Sequence, residues 1–398
     1  MSISAFHPLI PEERMRGPLL SLAAELVAQG HRLEAAAGQL SRTLAPLLRA
    51  MNSYYTNKIE GQQTRPADIE RALHHHFDAD KRQAHRQRLA LAHIQVETAL
   101  ETTPFASRTQ LYAPELVANI HSQLYLALPV NERITDDGNK LIAGKWREGL
   151  VTAGRHLAPA PAEVPALLAD WQAAYSSLPG VELAVVGAVC SHHRLLWVHP
   201  FPDGNGRTAR LHTHLVLRAL GLTHGLWSPL RGMARNQEAY YARLNNADLP
   251  RRNDLDGRGS LSQEELVAFA AWLLEVCLDQ ARFMQDLLSL GSLKERLLEL
   301  LQSLAARPWA IGAATSLIKV EALEALHYAA VFGPVERGRF MAMTGLPART
   351  ARRVLTSLLD YGVLEAETSR AKVNFAVPYK SLRFVFPRLW PEAEADTA

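Results

Sequence analysis

The feature that most constrains this chain is a proline-free apolar run from Leu183 to Val198, interrupted by a single glycine, Gly187. It passes directly into His199-Pro200-Phe201-Pro202-Asp203-Gly204-Asn205-Gly206-Arg207. Beyond that, Leu211, Leu215, Val216 and Leu220 recur at helical spacing until Gly221, a natural stop. Two buried helices joined by a tight loop are therefore expected, with the rest of a mostly α chain packed around them. A chain of 398 residues, 48% hydrophobic, is long enough for two or three domains with a large core. Its 43 basic and 40 acidic residues leave a net charge of +3, which gives no general push toward nucleic acid.

The residue types in the loop share one chemistry. Gly204 and Gly206 let the backbone bend so that N–H groups converge on an anion at the start of the second helix. Asp203 is a hard oxygen ligand suited to Mg2+, and Asn205 can donate to a phosphate oxygen without adding charge. Arg207 and Arg210 near a helix start repel each other and the dipole unless anions lie between them. His199 can serve as a general base near neutral pH. These parts suit gripping a polyphosphate and deprotonating a nucleophile.

The stretch from His199 to Arg210 resembles, with no position missing, the Fic signature His-Pro-Phe-x-(Asp/Glu)-Gly-Asn-Gly-Arg-x-x-Arg. The resemblance implies a Fic-type helical bundle with a small β-hairpin flap, and transfer of AMP from ATP to a hydroxyl side chain of a target protein. It also implies that Asp203, Gly204, Asn205, Gly206, Arg207, Thr208, Ala209 and Arg210 hold the phosphates, with Mg2+ on Asp203. The same site chemistry leaves open removal of AMP from a modified target and transfer of another nucleotide or phosphate-linked group.

Taken in order, residues 1–18 carry Pro8, Pro11 and Pro18 and read as an extended arm. Leucines from Leu22 to Leu48 mark a helical stretch that Gly30 and Pro46 should break. Its end, Thr56-Asn57-Lys58-Ile59-Glu60-Gly61, puts Thr56 and Glu60 on one face and supplies a left-handed stop at Gly61. This end resembles the inhibitory motif of autoregulated Fic proteins, which implies that Glu60 pairs with Arg210 and takes the space of the ATP γ-phosphate. Residues 64–100 read as further helix. Adjacent histidines His74, His75 and His76 cannot all face one ion from a helix and read as solvated surface.

Pro114 to Leu128 reads as a helix, after which Asp137-Gly138 signals a turn. Gly138 lies one residue too far from Gly144-Lys145 for a phosphate-binding P-loop, and Trp146 replaces its hydroxyl residue, so that reading fails. Gly144-Lys145-Trp146-Arg147 and Val151-Thr152-Ala153-Gly154 resemble the Fic flap, which implies that they hold a target segment as an added strand. The spacing of Tyr240, Tyr241 and Leu244 resembles the family's nucleoside helix and implies an adenine pocket at Tyr241 and Leu244. Residues 251–265 imitate a calcium loop, but Arg252 and Gln263 stand where carboxylates are needed.

After Gly291, helices over 335–344 and 347–361 and a hairpin over 363–377 resemble a winged helix. Arg349, Arg352, Arg353, Arg370 and Lys372 would lie along its second helix and wing as cations for DNA, although such modules also dock proteins or support a homodimer. The expected division is a helical region over 1–100 with the inhibitory helix at about 45–61, a catalytic domain over 101–290, and the winged-helix-like domain over 291–398. A nucleotide-sensing DNA-binding regulator is the reading that such a module keeps open. Cys190 and Cys277 sit in apolar helical sequence and read as small buried hydrophobes of a reducing compartment. No membrane contact and a cytoplasmic location are expected, since no uninterrupted apolar span or leader pattern is evident.

Overall fold

The computed structural model describes residues 6–135, 138–306 and 317–396. The expected Asp137 turn lies outside the described residues. Helices run in the order α1 (Glu13–Ala37), α2 (Leu40–Ile59), α3 (Pro66–Leu73), α4 (Lys81–Thr102), α5 (Arg108–Leu111) and α6 (Pro114–Leu126). A hairpin of β1 (Thr152–Ala153) and β2 (His156–Leu157) precedes α7 (Val164–Ser176), α8 (Val181–Val198), α9 (Asn205–Ala219), α10 (Pro229–Arg235) and α11 (Gln237–Ala247). Then come α12 (Gln263–Leu287), α13 (Leu290–Ala306), α14 (Leu323–Phe332), α15 (Arg337–Met343) and α16 (Ala348–Tyr361). A second hairpin, β3 (Leu364–Glu365) and β4 (Asn374–Phe375), leads to the short α17 (Leu382–Val385) and α18 (Pro391–Asp396).

The chain divides into two compact units. The first holds residues 1–31, 49–64 and 68–282, and the second holds 32–48, 65–67 and 283–398. In the first unit, α8 packs between α7 and α9. Trp171 on α7 is 0% exposed and donates its indole N–H to the Ser191 carbonyl of α8 at 3.0 Å. Tyr112, Tyr175 and His212 surround that ring. Burying such a group of large aromatics is what holds the polar loop at the end of α8 in a fixed frame. By length and composition α8 is the one described helix that could cross a membrane, and here it is a core helix. Both thiols are buried, and burial pushes Cys190 up to about 12.

In the second unit, α15, a turn at Gly345 with φ +66° and α16 precede the antiparallel β3–β4 pair. Val335 adds an isolated antiparallel bridge to Val373. Arg349, Arg352, Arg353, Arg370 and Lys372 are all exposed there.

Several sequence expectations are corrected. The arm ends earlier than expected, because α1 starts at Glu13 and takes Pro18 inside its second turn. Gly30 does not break α1; a Cβ there would lie 2.9 Å from the Leu222 carbonyl oxygen, so the glycine permits close packing. Pro46 is likewise inside α2, and the real break is at Gly38, where φ is +49°. Residues 64–100 form two helices, interrupted after Leu73 by an exposed turn with His75 at φ 58°. Asp80 then caps α4 through the N–H groups of Arg82 and Gln83.

Candidate active site

α8 ends at His199, which takes a left-handed conformation with φ 48° and ψ 61°. Non-glycine residues rarely adopt it, and here it turns the imidazole out of the helix line. Nδ1 lies 3.2 Å from the Leu196 carbonyl oxygen. A carbonyl only accepts, so Nδ1 carries the proton and Nε2 keeps its lone pair. Burial, more than the opposing pull of the Leu196 carbonyl, lowers the imidazole to about 4. His199 is therefore neutral at physiological pH, as a base must be.

Five residues on, the chain turns into α9. Gly204, at φ 78°, occupies the N-cap position and offers no capping side chain. A Cβ there would come within 2.5 Å of the Tyr125 hydroxyl oxygen. The first-turn N–H groups of α9 thus start without a side-chain cap, at the positive end of a helix. Arg207 reaches this end, donating to the Tyr125 hydroxyl at 3.0 Å and standing 3.9 Å from Asp203 Oδ1.

Not every residue of the stretch faces a ligand. Gly204 spends its own N–H on Asp203 Oδ1 at 2.5 Å. Asn205 braces the loop: its Oδ1 accepts from Phe201 N at 2.9 Å and its Nδ2 donates to Phe201 O at 2.8 Å. The expected donation to phosphate is left to the second Nδ2 hydrogen. Thr208 and Ala209 are 1% and 0% exposed, and the Thr208 N–H already bonds the Gly204 carbonyl. These two positions belong to the helix interior, which narrows the expected phosphate contact to the first turn and the arginines. Asp203 keeps a quarter of its side chain exposed, and its carboxylate is the donor type that a hard cation takes.

Glu60 follows the last residue of α2. Gly61, with φ +69°, and Gln62 close that helix through N–H bonds to Lys58 and Asn57, the double closure of a Schellman end. This fixes Glu60 over α9, where its Oε1 accepts from Arg210 Nη2. The same guanidinium donates to Thr56 Oγ1 at 2.9 Å and to the Thr56 carbonyl at 3.3 Å. Glu60 Oε1 would lie 2.3 Å from a Cβ on Gly206, so the carboxylate sits on the backbone at the start of α9. Burial opposes its ionisation, yet Arg210 and Arg207 hold it below the usual carboxylate range.

A cavity of about 400 Å³ brings together Glu60, Ala153, Gly154, His199, Gly206, Arg210, Tyr241 and Leu244. Tyr241 donates its hydroxyl to the Ile59 carbonyl at 3.0 Å, tying the nucleoside candidate to the end of α2. Val151 and Thr152 line a neighbouring groove of about 550 Å³ with Trp146, Gly149 and Pro202. The hairpin register is Thr152↔Leu157 and Ala153↔His156, and Leu157 is 63% exposed.

Three residues to which sequence reasoning gave no part in holding the loop support it. His121 accepts from Gly144 N at 2.9 Å, donates to the Asp203 carbonyl at 3.1 Å and stacks on Phe201 at 3.8 Å. Tyr125 carries Arg207 over its ring. Arg147, 4% exposed, donates to the carbonyls of His199 at 2.7 Å, Gly149 at 3.1 Å and Pro159 at 2.5 Å. The first two read as helix-core residues by spacing. Only the Arg147 position in the flap pattern marked it, without indicating a role.

The site thus sets an imidazole beside an uncapped helix start with two arginines, and residues 111–217, which include it, match the model of the Fic/DOC family; the chain carries a Fic/DOC domain. Over 198 residues it is 27% identical to the protein adenylyltransferase Fic of Nematostella vectensis, covering 49% of this chain and 42% of that one. It is 32% identical over 127 residues to the protein adenylyltransferase fic-1 of Caenorhabditis briggsae, 31% of this chain and 23% of that one. The chain therefore spans less than half the length of these curated relatives. A solved Fic family protein from Desulfovibrio desulfuricans G20 shares the fold, with a TM-score of 0.50 at 18% identity over 90% of this chain and 96% of that one.

Proposed function

We propose that the chain transfers AMP from ATP to a Ser, Thr or Tyr hydroxyl of a target protein, and to itself. The observation that carries this is the neutral His199, with Nε2 as its basic nitrogen, lining one cavity with the start of α9 and Arg210. The names of the curated relatives support it. ATP would place its phosphates against the first turn of α9, with Arg207 and Arg210 balancing their charge, and its base between Tyr241 and Leu244. Asp203 would hold Mg2+, which supplies charge neutralisation on the phosphates when bound. His199 Nε2 takes the proton of the target hydroxyl as that oxygen bonds to the α-phosphorus, and the bond to pyrophosphate breaks. The edge of β1 and the groove by Val151 and Thr152 would hold the target backbone. With Glu60 on Arg210, a carboxylate occupies ground that a phosphate needs, so the resting state is inhibited. The buried thiols agree with a cytoplasmic place of action.

The test is intact-mass analysis of Glu60→Gly and Glu60→Gly/His199→Ala after incubation with ATP, UTP, GTP or CDP-choline. A mass gain of one AMP from ATP alone, lost with His199, supports the reading; a gain from another donor reassigns the transferred group. A second reading concerns partners: the exposed cations of α16 and the β3–β4 hairpin support a winged helix that contacts DNA. A gel shift with salt titration tests it, and unaltered mobility would leave protein docking or dimer support as the role.

A further inference from the structure

We propose that Glu97, Glu101 and His214 form a second, buried cation site, built for zinc, one turn further along α9 from the proposed ATP site. Glu97 and Glu101 lie one turn apart on α4, with His93 one turn before them, so the three share a stripe facing α9. His214 stands one turn beyond Arg210 on α9. The burial is nearly complete: Glu97 is 2% exposed and His214 3%, and the Glu101 side chain keeps 6%.

Such groups are expected to satisfy one another by hydrogen bonds, and these do not. Neither ring nitrogen of His214 has a hydrogen-bond partner among the described residues, nor has Glu97 Oε2. The distances explain why. His214 Nε2 is 3.4 Å from Glu97 Oε1 and 3.6 Å from Glu101 Oε1. Charge-assisted hydrogen bonds close to about 2.7–2.9 Å. Ligands about 2.0–2.1 Å from a tetrahedral zinc ion stand about 3.3–3.4 Å apart, close to the 3.4 Å and 3.6 Å found here. The three candidate ligand atoms all lie within 4.8 Å of one another.

Outer contacts also have the form of a metal site, where neighbours orient the ligands. Asn52 Nδ2 donates to Glu97 Oε1 at 2.7 Å, and Arg49 holds the other oxygen of Glu101 at 2.8 Å. His93, 1% exposed, places Nδ1 3.4 Å from Glu97 Oε2. One imidazole and two carboxylates in a closed interior suit Zn2+; Mg2+ demands an octahedron and keeps its waters. The site shares no residue with Asp203. It fastens α4 to α9 and, through Asn52, to α2, the helix that leads into Glu60.

The full chain, freed of any histidine tag, would be incubated with Zn2+, dialysed, and its zinc measured by mass spectrometry. About one zinc per chain is expected, with Co2+ in its place giving the strong visible bands of a four-coordinate centre. Glu97→Gln and His214→Gln should each lower retained zinc at least tenfold, and Asn52→Ala should weaken affinity by about 10–100-fold. The triple variant His74→Ala/His75→Ala/His76→Ala should retain zinc, since those side chains are exposed on a separate turn. Wild-type protein that keeps no zinc, a six-coordinate cobalt spectrum, or loss of zinc in the surface triple variant would overturn the site. Should the buried variants fail to fold, the wild-type stoichiometry, the cobalt spectrum and the triple variant still decide. None of these readouts depends on AMP transfer.

Discussion

Replacing Glu60 by glycine removes one carboxylate and leaves its partner supported, since Arg210 keeps its two bonds to Thr56. The perturbation therefore tests inhibition without orphaning a buried guanidinium. Arg210 is 1% exposed and Glu60 30%, so the pair is largely but not fully shielded from water. A hydrogen bond to a charged group contributes about 1.5–3 kcal/mol, and the solvent-facing part of Glu60 reduces this. A net preference of about 1–2 kcal/mol for the closed site follows, or a factor of about 5–30 in the population able to accept the γ-phosphate. Initial rates of self-labelling from radioactive ATP should rise by that factor in Glu60→Gly. An unchanged or slower rate, with a normal melting temperature, would refute the assignment of Glu60 as a competitor for phosphate.

His199→Ala in the Glu60→Gly background should lower transfer by about 10²–10⁴-fold while calorimetric ATP affinity stays within about twofold; equal losses of both would assign the ring to binding instead. Because burial lowers His199 to about 4, the ring is protonated and inactive only below that value. The rate of Glu60→Gly should therefore be flat from pH 6 to 8 with its acid limb near 4, and a limb near 6.5 would show an exposed imidazole. Gly204→Ala forces a side chain into a left-handed residue against the Tyr125 hydroxyl and should cost about 1–3 kcal/mol, read as a lower melting temperature together with weaker ATP binding. Arg147→Lys keeps the charge but not the fork, and should lower transfer to peptide substrates more than ATP affinity; a wild-type rate would deny it a positioning role.

Most of the site was legible because its parts are contiguous in sequence. The loop from His199 to Arg210, bounded by two apolar periodic runs, fixed which helices had to be adjacent. Glu60 was legible only through the resemblance of Thr56–Gly61 to the inhibitory motif of autoregulated Fic proteins, since an acid at a helix end is otherwise ordinary surface. What the signature could not supply was direction: it counts Thr208 and Ala209 among its positions, while the turn of α9 carries them into the core. Asn205 shows the same limit, since an amide can brace its own loop as readily as meet a ligand. The supports of the loop escaped notice because they come from elsewhere in the chain. His121 and Tyr125 are four apart on α6, the spacing of any buried stripe, and only tertiary packing sets them against Asp203 and Arg207. The early helix boundaries were misplaced where proline and glycine were treated as breakers, although Gly30 is there for contact with another segment.

The bonds of Arg147 tie together parts that a reaction of this kind cannot let drift. A single planar side chain holds the carbonyl of His199, the proposed base, and, at the same time, carbonyls on either side of the β1–β2 hairpin. A polypeptide laid along that hairpin would be measured off against the imidazole itself. The distance from incoming oxygen to proton acceptor would then be set by backbone geometry alone, whatever residues flank the hydroxyl.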